Sequence, residues 1–119
     1  MCGIIGQISS NAISQKQFCM RRDMLQHRGP DGKGAVFLQN DTIALGHTRL
    51  SFFDLSENGK QPMTDASNSL WITFNGEIYN FREIRKELIQ LGKKFHTETD
   101  TEVILEGYKV WGIKIVDKL

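Results

Sequence analysis

Two helices written one after the other near the C-terminus limit what this chain can fold into. Asn80-x-x-Glu83 reads as a capping box, in which each side chain reaches an orphan backbone donor of the first turn. Phe81, Ile84, Leu88 and Leu91 then recur at helical spacing, and Gly92 supplies a stop. Thr99-x-x-Glu102 repeats the device ahead of Val103, Gly107, Val110 and Trp111, with Gly112 behind them. Two capped helices in series break the strand–helix alternation that a doubly wound parallel sheet requires. An α+β layered domain is the expected class.

The strands lie upstream. Gly3–Ile8 alternates apolar residues with glycine and reads as a short buried strand. A helix is expected over Ser14–Gln26, with Ile13, Met20 and Met24 near one face and Cys19 turned away as a surface thiol. His27-Arg28-Gly29-Pro30-Asp31-Gly32 cannot continue it, because Pro30 disfavours helical geometry at Gly29. Strands are expected at Ala35–Gln39 and Ile43–Phe53, joined by an Asn40-Asp41 turn, and at Leu70–Phe74. Ile113–Leu119 reads as an unfinished element, and the few strands leave the helices short of sheet, so the chain is expected to be part of a larger domain.

Charge excludes more than it suggests. Fifteen basic residues against 14 acidic ones give a net charge of +1 over 119 residues, which provides no field for nucleic acid or anionic lipid. The basic run Lys16, Arg21, Arg22, Arg28 and Lys33 reads as a solvated face. No apolar stretch approaches the roughly 20 residues of a membrane span, and no secretory signal opens the chain. Cys2 and Cys19 make neither a disulfide framework nor a metal motif, so a reducing cytoplasm is the expected setting.

Cys2 carries the chemistry. Removing the initiator methionine would give it a free α-amine with a reference pKa of about 8, able to take the thiol proton directly or through one water. Nucleophile and base would then share one residue. Taken alone, a cysteine at this position is more often an accident or a small buried hydrophobe than a nucleophile.

Asn75-Gly76 has two readings. It is a strong hairpin signal, yet Glu77-Ile78-Tyr79 leaves little return strand before Asn80. The alternative is an oxyanion hole, with the Asn75 amide and the Gly76 N–H as donors, each worth about 2.7–4 kcal/mol of barrier. Arg49 and Asp100 could hold the carboxylate and ammonium of an α-amino acid, or be a surface charge and a helix-start acid. His27, His47 and His96 share no metal-ligand spacing and read as structural or surface residues.

Several stretches, in order, resemble one family. They are Met1-Cys2-Gly3-Ile4-Ile5-Gly6, His27-Arg28-Gly29-Pro30-Asp31, Gly46-His47-Thr48-Arg49-Leu50-Ser51, Gln61-Pro62-Met63, Phe74-Asn75-Gly76-Glu77-Ile78-Tyr79-Asn80 and Thr99-Asp100-Thr101-Glu102-Val103-Ile104-Leu105. Together they resemble the class II, N-terminal nucleophile glutamine amidotransferase domain of glutamine-hydrolysing asparagine synthetases. The proline and aspartate after Arg28-Gly29 are similar to that branch rather than to glucosamine-phosphate synthases or amidophosphoribosyltransferases.

The resemblance implies an αββα four-layer sandwich of the N-terminal nucleophile hydrolase type, here truncated. Residues 1–119 would be a partial amidotransferase domain, with the ATP-dependent synthetase domain absent. It implies Cys2, Asn75 and Gly76 as catalytic groups. Arg49, Leu50, Ser51, Phe52, Phe53, Asn75, Gly76, Glu77 and Asp100 would contact glutamine. No metal or cofactor belongs to this half-reaction; ATP and Mg would serve only the synthetase domain. Phe52-Phe53 departs from the branched aliphatic residues usual there. The expected partners are glutamine and the synthetase domain, with a homodimer among the assemblies allowed and neither nucleic acid nor membrane involved.

Two other classes compete. A non-catalytic fragment with unpaired strand edges would act at most as an interaction or self-associating module. A cysteine hydrolase using histidine as base would depend on His47.

Overall fold

The computed structural model describes residues 1–51 and 57–119, arranged as two compact units. The first comprises Met1–Pro62 with Ile72–Asn75, the second Met63–Trp71 with Gly76–Leu119. Both are α+β, and the three-stranded sheet of the first is antiparallel throughout.

In the first unit β1 (Gly3–Ile8), β2 (Gly32–Leu38) and β3 (Ile43–Arg49) form a sheet in the order β1-β3-β2. Gly3 pairs with Thr48 and Gly32 with Arg49, so the starts of the outer strands meet the end of the central one. The β2–β3 turn is tight: Gln39, Asn40 and Asp41 all have positive φ, at 51°, 56° and 62°, a conformation the two Asx-type residues tolerate. β1 has the expected bounds but lies at the sheet edge, with Ile4 and Ile8 exposed rather than buried.

Helix α1 (Gln15–Asp23) covers one sheet face and is shorter than expected; Ser14 caps it by accepting from Gln17 N. Its buried residues are Phe18 and Arg22, whereas Met20 and Met24 are exposed, which corrects the expected face. Phe18 fits because Gly46 lies opposite: a Cβ there would stand 3.0 Å from Phe18 Cε1. Phe18 meets Phe37 edge-on at 5.4 Å and joins Ile13 and Ala44 in the core. Arg22 is not solvated either, since Asp23 pairs with it at 2.8 Å and with Lys33 at 3.1 Å.

The second unit opens with β4 (Met63–Thr64), which pairs with β5 (Trp71–Ile72), whose Trp71 lies in the same unit. The expected Leu70–Phe74 strand shrinks to β5. Asp65 is the hub of the intervening loop, accepting from the backbone N–H groups of Ser69 and Leu70 and from the Ser67 hydroxyl. Helices α2 (Phe81–Gln90) and α3 (Asp100–Trp111) follow, burying Ile84, Leu88, Val103 and Leu105.

Both C-terminal helices start and stop where their capping residues predict, but the capping bonds at the starts differ from the expected boxes. Gly92 takes φ 86° and closes α2 with Lys93 N donating to Leu88 O and Gly92 N to Ile89 O, the paired bonds of a Schellman end. Thr99 caps α3 through Glu102 N, but Glu102 reaches back to the N–H groups of His96 and Thr97. Asn80 makes no side-chain cap; its amide donates to Lys118 O at 2.7 Å. Residues Gly112–Lys118 form a 3₁₀ helix that buries Ile115, a finished element where none was expected.

Candidate active site

The antiparallel register of β1 and β3 brings Cys2 beside the segment that leaves β3. Leu50 N donates to Cys2 Sγ at 3.3 Å, and the thiol lies 3.8 Å from Leu50 O. A backbone donor therefore meets the sulfur where charge develops as a thiolate forms. Thr48, one position inside β3, accepts from Gly3 N at 3.2 Å and donates to Leu25 O at 3.1 Å. Thr48 and Leu50 thus hold successive groups of Cys2-Gly3.

The loop that precedes β2 braces the same strand end. Asp31 N donates to Arg49 O at 2.9 Å, and Ser51 N donates to Asp31 Oδ2 at 2.8 Å. Gly29 is pressed so closely on the strand that a Cβ would stand 2.4 Å from the Thr48 carbonyl. The bend at His27–Asp31 is a clamp on residues 48–51.

Arg49 and His47 share the sheet face opposite α1. The Arg49 guanidinium lies over Gly59, where a Cβ would come within 2.4 Å of it. A cavity of about 150 Å³ opens beside it, lined in part by Asp31, Lys33, His47, Lys60 and Gln61. His47 is buried, and burial, helped by the nearby Arg49 charge, lowers its pKa from 6.5 to about 4. Its Nδ1 lies 3.0 Å from Thr73 Oγ1, whose hydroxyl donates to Gly46 O. Thr73 therefore accepts from a neutral, Nδ1-protonated ring, and His47 serves as a brace. Gln61 Oε1 adds a second by accepting from Phe74 N at 2.6 Å.

Asn75 follows these two anchored residues and is exposed. The hairpin reading of Asn75-Gly76 fails, since no strand follows and neither residue has the positive φ of a type I′ turn. In the second unit Gly76 and Glu77 are exposed. Asp100 there accepts from Ile78 N at 3.0 Å, fixing the segment that carries Glu77. Phe52 and Phe53 lie outside the described residues.

Nothing in the residue types of Thr48, Gln61 or Thr73 marks them for the site, because their partners are remote backbone groups or buried side chains. Cys2 and Cys19 are both free thiols. Among the described residues no three His, Cys, Asp or Glu side chains converge as a metal-binding group. No helix there is long and apolar enough to cross a membrane.

Comparison with known proteins agrees with the family resemblance. A family model for the glutamine amidotransferase domain matches residues 1–119. Asparagine synthetase [glutamine-hydrolyzing] 1 of Bacillus subtilis (strain 168) is 37% identical over 124 residues, covering 100% of this chain and 19% of that protein. Asparagine synthetase [glutamine-hydrolyzing] 1 of Arabidopsis thaliana is 38% identical over 122 residues, covering 100% of this chain and 20% of its own length. Amidase chry2 of Gibberella zeae is 36% identical over 97 residues, covering 82% of this chain and 14% of its own. The chain thus spans at most about a fifth of each of these relatives.

Proposed function

Because the chain belongs to the glutamine amidotransferase domain family, we propose that it performs the glutaminase half-reaction of a glutamine-hydrolysing asparagine synthetase. The contact that carries this reading is Leu50 N–H on Cys2 Sγ.

After removal of Met1, the Cys2 α-amine takes the thiol proton while sulfur adds to the carboxamide carbon of glutamine. The Asn75 side-chain amide and Gly76 N–H receive the oxyanion. Collapse breaks the C–N bond, the ammonium proton returns to the departing nitrogen, and ammonia leaves a thioester. Water then cleaves the thioester to glutamate and restores the thiol. In this reading Arg49 takes the substrate α-carboxylate and Asp100 its α-ammonium, and Leu50, Ser51, Phe52, Phe53 and Glu77 are the further substrate-binding residues. His47, neutral and bonded to Thr73, is a brace rather than the base.

On the same reading the sheet face bearing Ile4 and Ile8 is an inner face of an αββα sandwich, which explains apolar side chains left in water. Residues 1–119 are then a partial domain of a cytoplasmic enzyme. An ATP- and magnesium-dependent synthetase domain would pass the ammonia to aspartate or a related carboxylate.

The test is ammonia and glutamate release from glutamine by the chain and by its Cys2→Ala variant. Equal release, or none from either, would contradict the proposal. The exposed Ile4 and Ile8 favour one second reading, a self-associating module without activity. Cys2-dependent ammonia release would exclude it.

A further inference from the structure

We propose that Thr48 is a positioning residue for the nucleophile, setting the orientation of Cys2 through the Gly3 amide. The inference rests on the assignment of Cys2 as nucleophile and extends it to a side chain that touches neither sulfur nor substrate.

The geometry leaves the hydroxyl one arrangement. Thr48 is 1% exposed, at the last inward-facing position of β3 before the strand ends. Its Oγ1 accepts from Gly3 N at 3.2 Å, and its proton goes to Leu25 O at 3.1 Å. Acceptance on one side fixes donation on the other, so the hydroxyl does not rotate between partners. Gly3 N belongs to the peptide unit whose carbonyl carbon is that of Cys2, so the hydroxyl fixes the plane of that peptide. With that plane held, Cys2 Sγ lies 3.3 Å from Leu50 N. Residue 3 is glycine because the contact is close: a Cβ there would lie 2.6 Å from Thr48 Oγ1 and 2.8 Å from Leu25 Cβ.

The device also ties the nucleophile to the clamp loop. Leu25 N donates to nothing in β3 but bonds Arg22 O, and Arg28 N returns to Leu25 O. The Leu25 carbonyl is thus shared by the turn that leads into Gly29–Asp31 and by the Thr48 hydroxyl. One side chain links β1, β3 and the turn after α1.

The experiment measures alkylation of the folded chain by iodoacetamide, reading Cys2 and Cys19 separately by peptide mass spectrometry. Cys19 is the internal control, since it lies on α1 away from these contacts. Thr48→Val keeps the branched shape and removes the hydroxyl; Thr48→Ser restores it. In the parent chain Cys2 reacts faster than Cys19. Thr48→Val slows Cys2 by about three- to tenfold, the worth of one buried hydrogen bond, leaves Cys19 unchanged, and Thr48→Ser recovers the parent rate. An unchanged Cys2 rate in Thr48→Val overturns this proposal alone. A slowed Cys2 that Thr48→Ser fails to recover also overturns it. Equal rates for Cys2 and Cys19 in the parent chain overturn instead the assignment of the nucleophile. Thermal melts of both variants establish that the rates are read on folded protein; Thr48→Ser provides the comparison if Thr48→Val melts early.

Discussion

Leu50 N lies 3.3 Å from Cys2 Sγ across 48 residues of sequence. That contact follows from the Gly3–Thr48 register of β1 and β3, and it turns a strand end into a holder for the thiol. Because the donor is main-chain, Leu50→Ala should preserve Cys2 reactivity towards a haloacetamide. Cys2→Ala should abolish glutamine hydrolysis while shifting stability by no more than about 1 kcal/mol. Haloacetamide labelling of Leu50→Ala, with activity assays and urea melts of Cys2→Ala, checks these outcomes.

Gly29 and Gly6 should respond in opposite ways to one methyl group. A Cβ at Gly29 would stand 2.4 Å from the Thr48 carbonyl, against backbone that cannot swing aside. Gly29→Ala should therefore cost about 1–3 kcal/mol and loosen residues 48–51, slowing Cys2 alkylation. At Gly6 the nearest atom to a Cβ is Leu45 Cδ2 at 3.6 Å, an ordinary contact. Gly6→Ala should leave the melting temperature unchanged or raised, as calorimetry would show.

The two kinds of side chain on α1 should separate as sharply. Phe18→Ala removes a fully buried ring from the hollow over Gly46 and should cost about 3–5 kcal/mol. Met20→Ala, at an exposed position, should change stability by less than about 0.5 kcal/mol. Chemical denaturation of the pair tests the corrected face of the helix.

His47 gives the fold a pH dependence of known sign. Folding lowers its pKa from 6.5 to about 4, through burial first and the Arg49 charge second. Between those values the unfolded chain binds more protons, so stability falls as pH drops from 6.5 towards 4 and is insensitive to this group above 6.5. The loss reaches about 3 kcal/mol. Asp65, whose carboxyl the Ser67 hydroxyl and the Leu70 and Ser69 amides hold well below the usual range, adds its own loss only below about pH 4. His47→Gln should flatten stability between pH 6.5 and 4 and leave the acid limb in place, as urea melts across that range would show.

What the sequence revealed follows from how far each determinant lies. β1 carried its own bounds in the glycine and isoleucine alternation of Gly3–Ile8, and Gly92 and Gly112 announced the helix ends through positive φ. Phe18 was hidden by its basic neighbours, because its burial is decided by Gly46, far along the chain. Asn80 looked like a cap until Lys118 O competed for its amide from 38 residues away. The candidate site divides the same way. Cys2, Arg49 and Asn75 stood out by chemical type, whereas Thr48, Gln61 and Thr73 act through bonds that only the fold creates.

The central claim is that Cys2, freed at its amine, attacks the side-chain amide of glutamine. A diazoketone analogue of glutamine, followed by mass spectrometry of the N-terminal peptide, tests it most directly. The account predicts one covalent adduct on Cys2, on molecules that have lost Met1, with glutamine protecting. An adduct on Cys19 instead, or none on a folded chain whose N-terminus is Cys2, would contradict it.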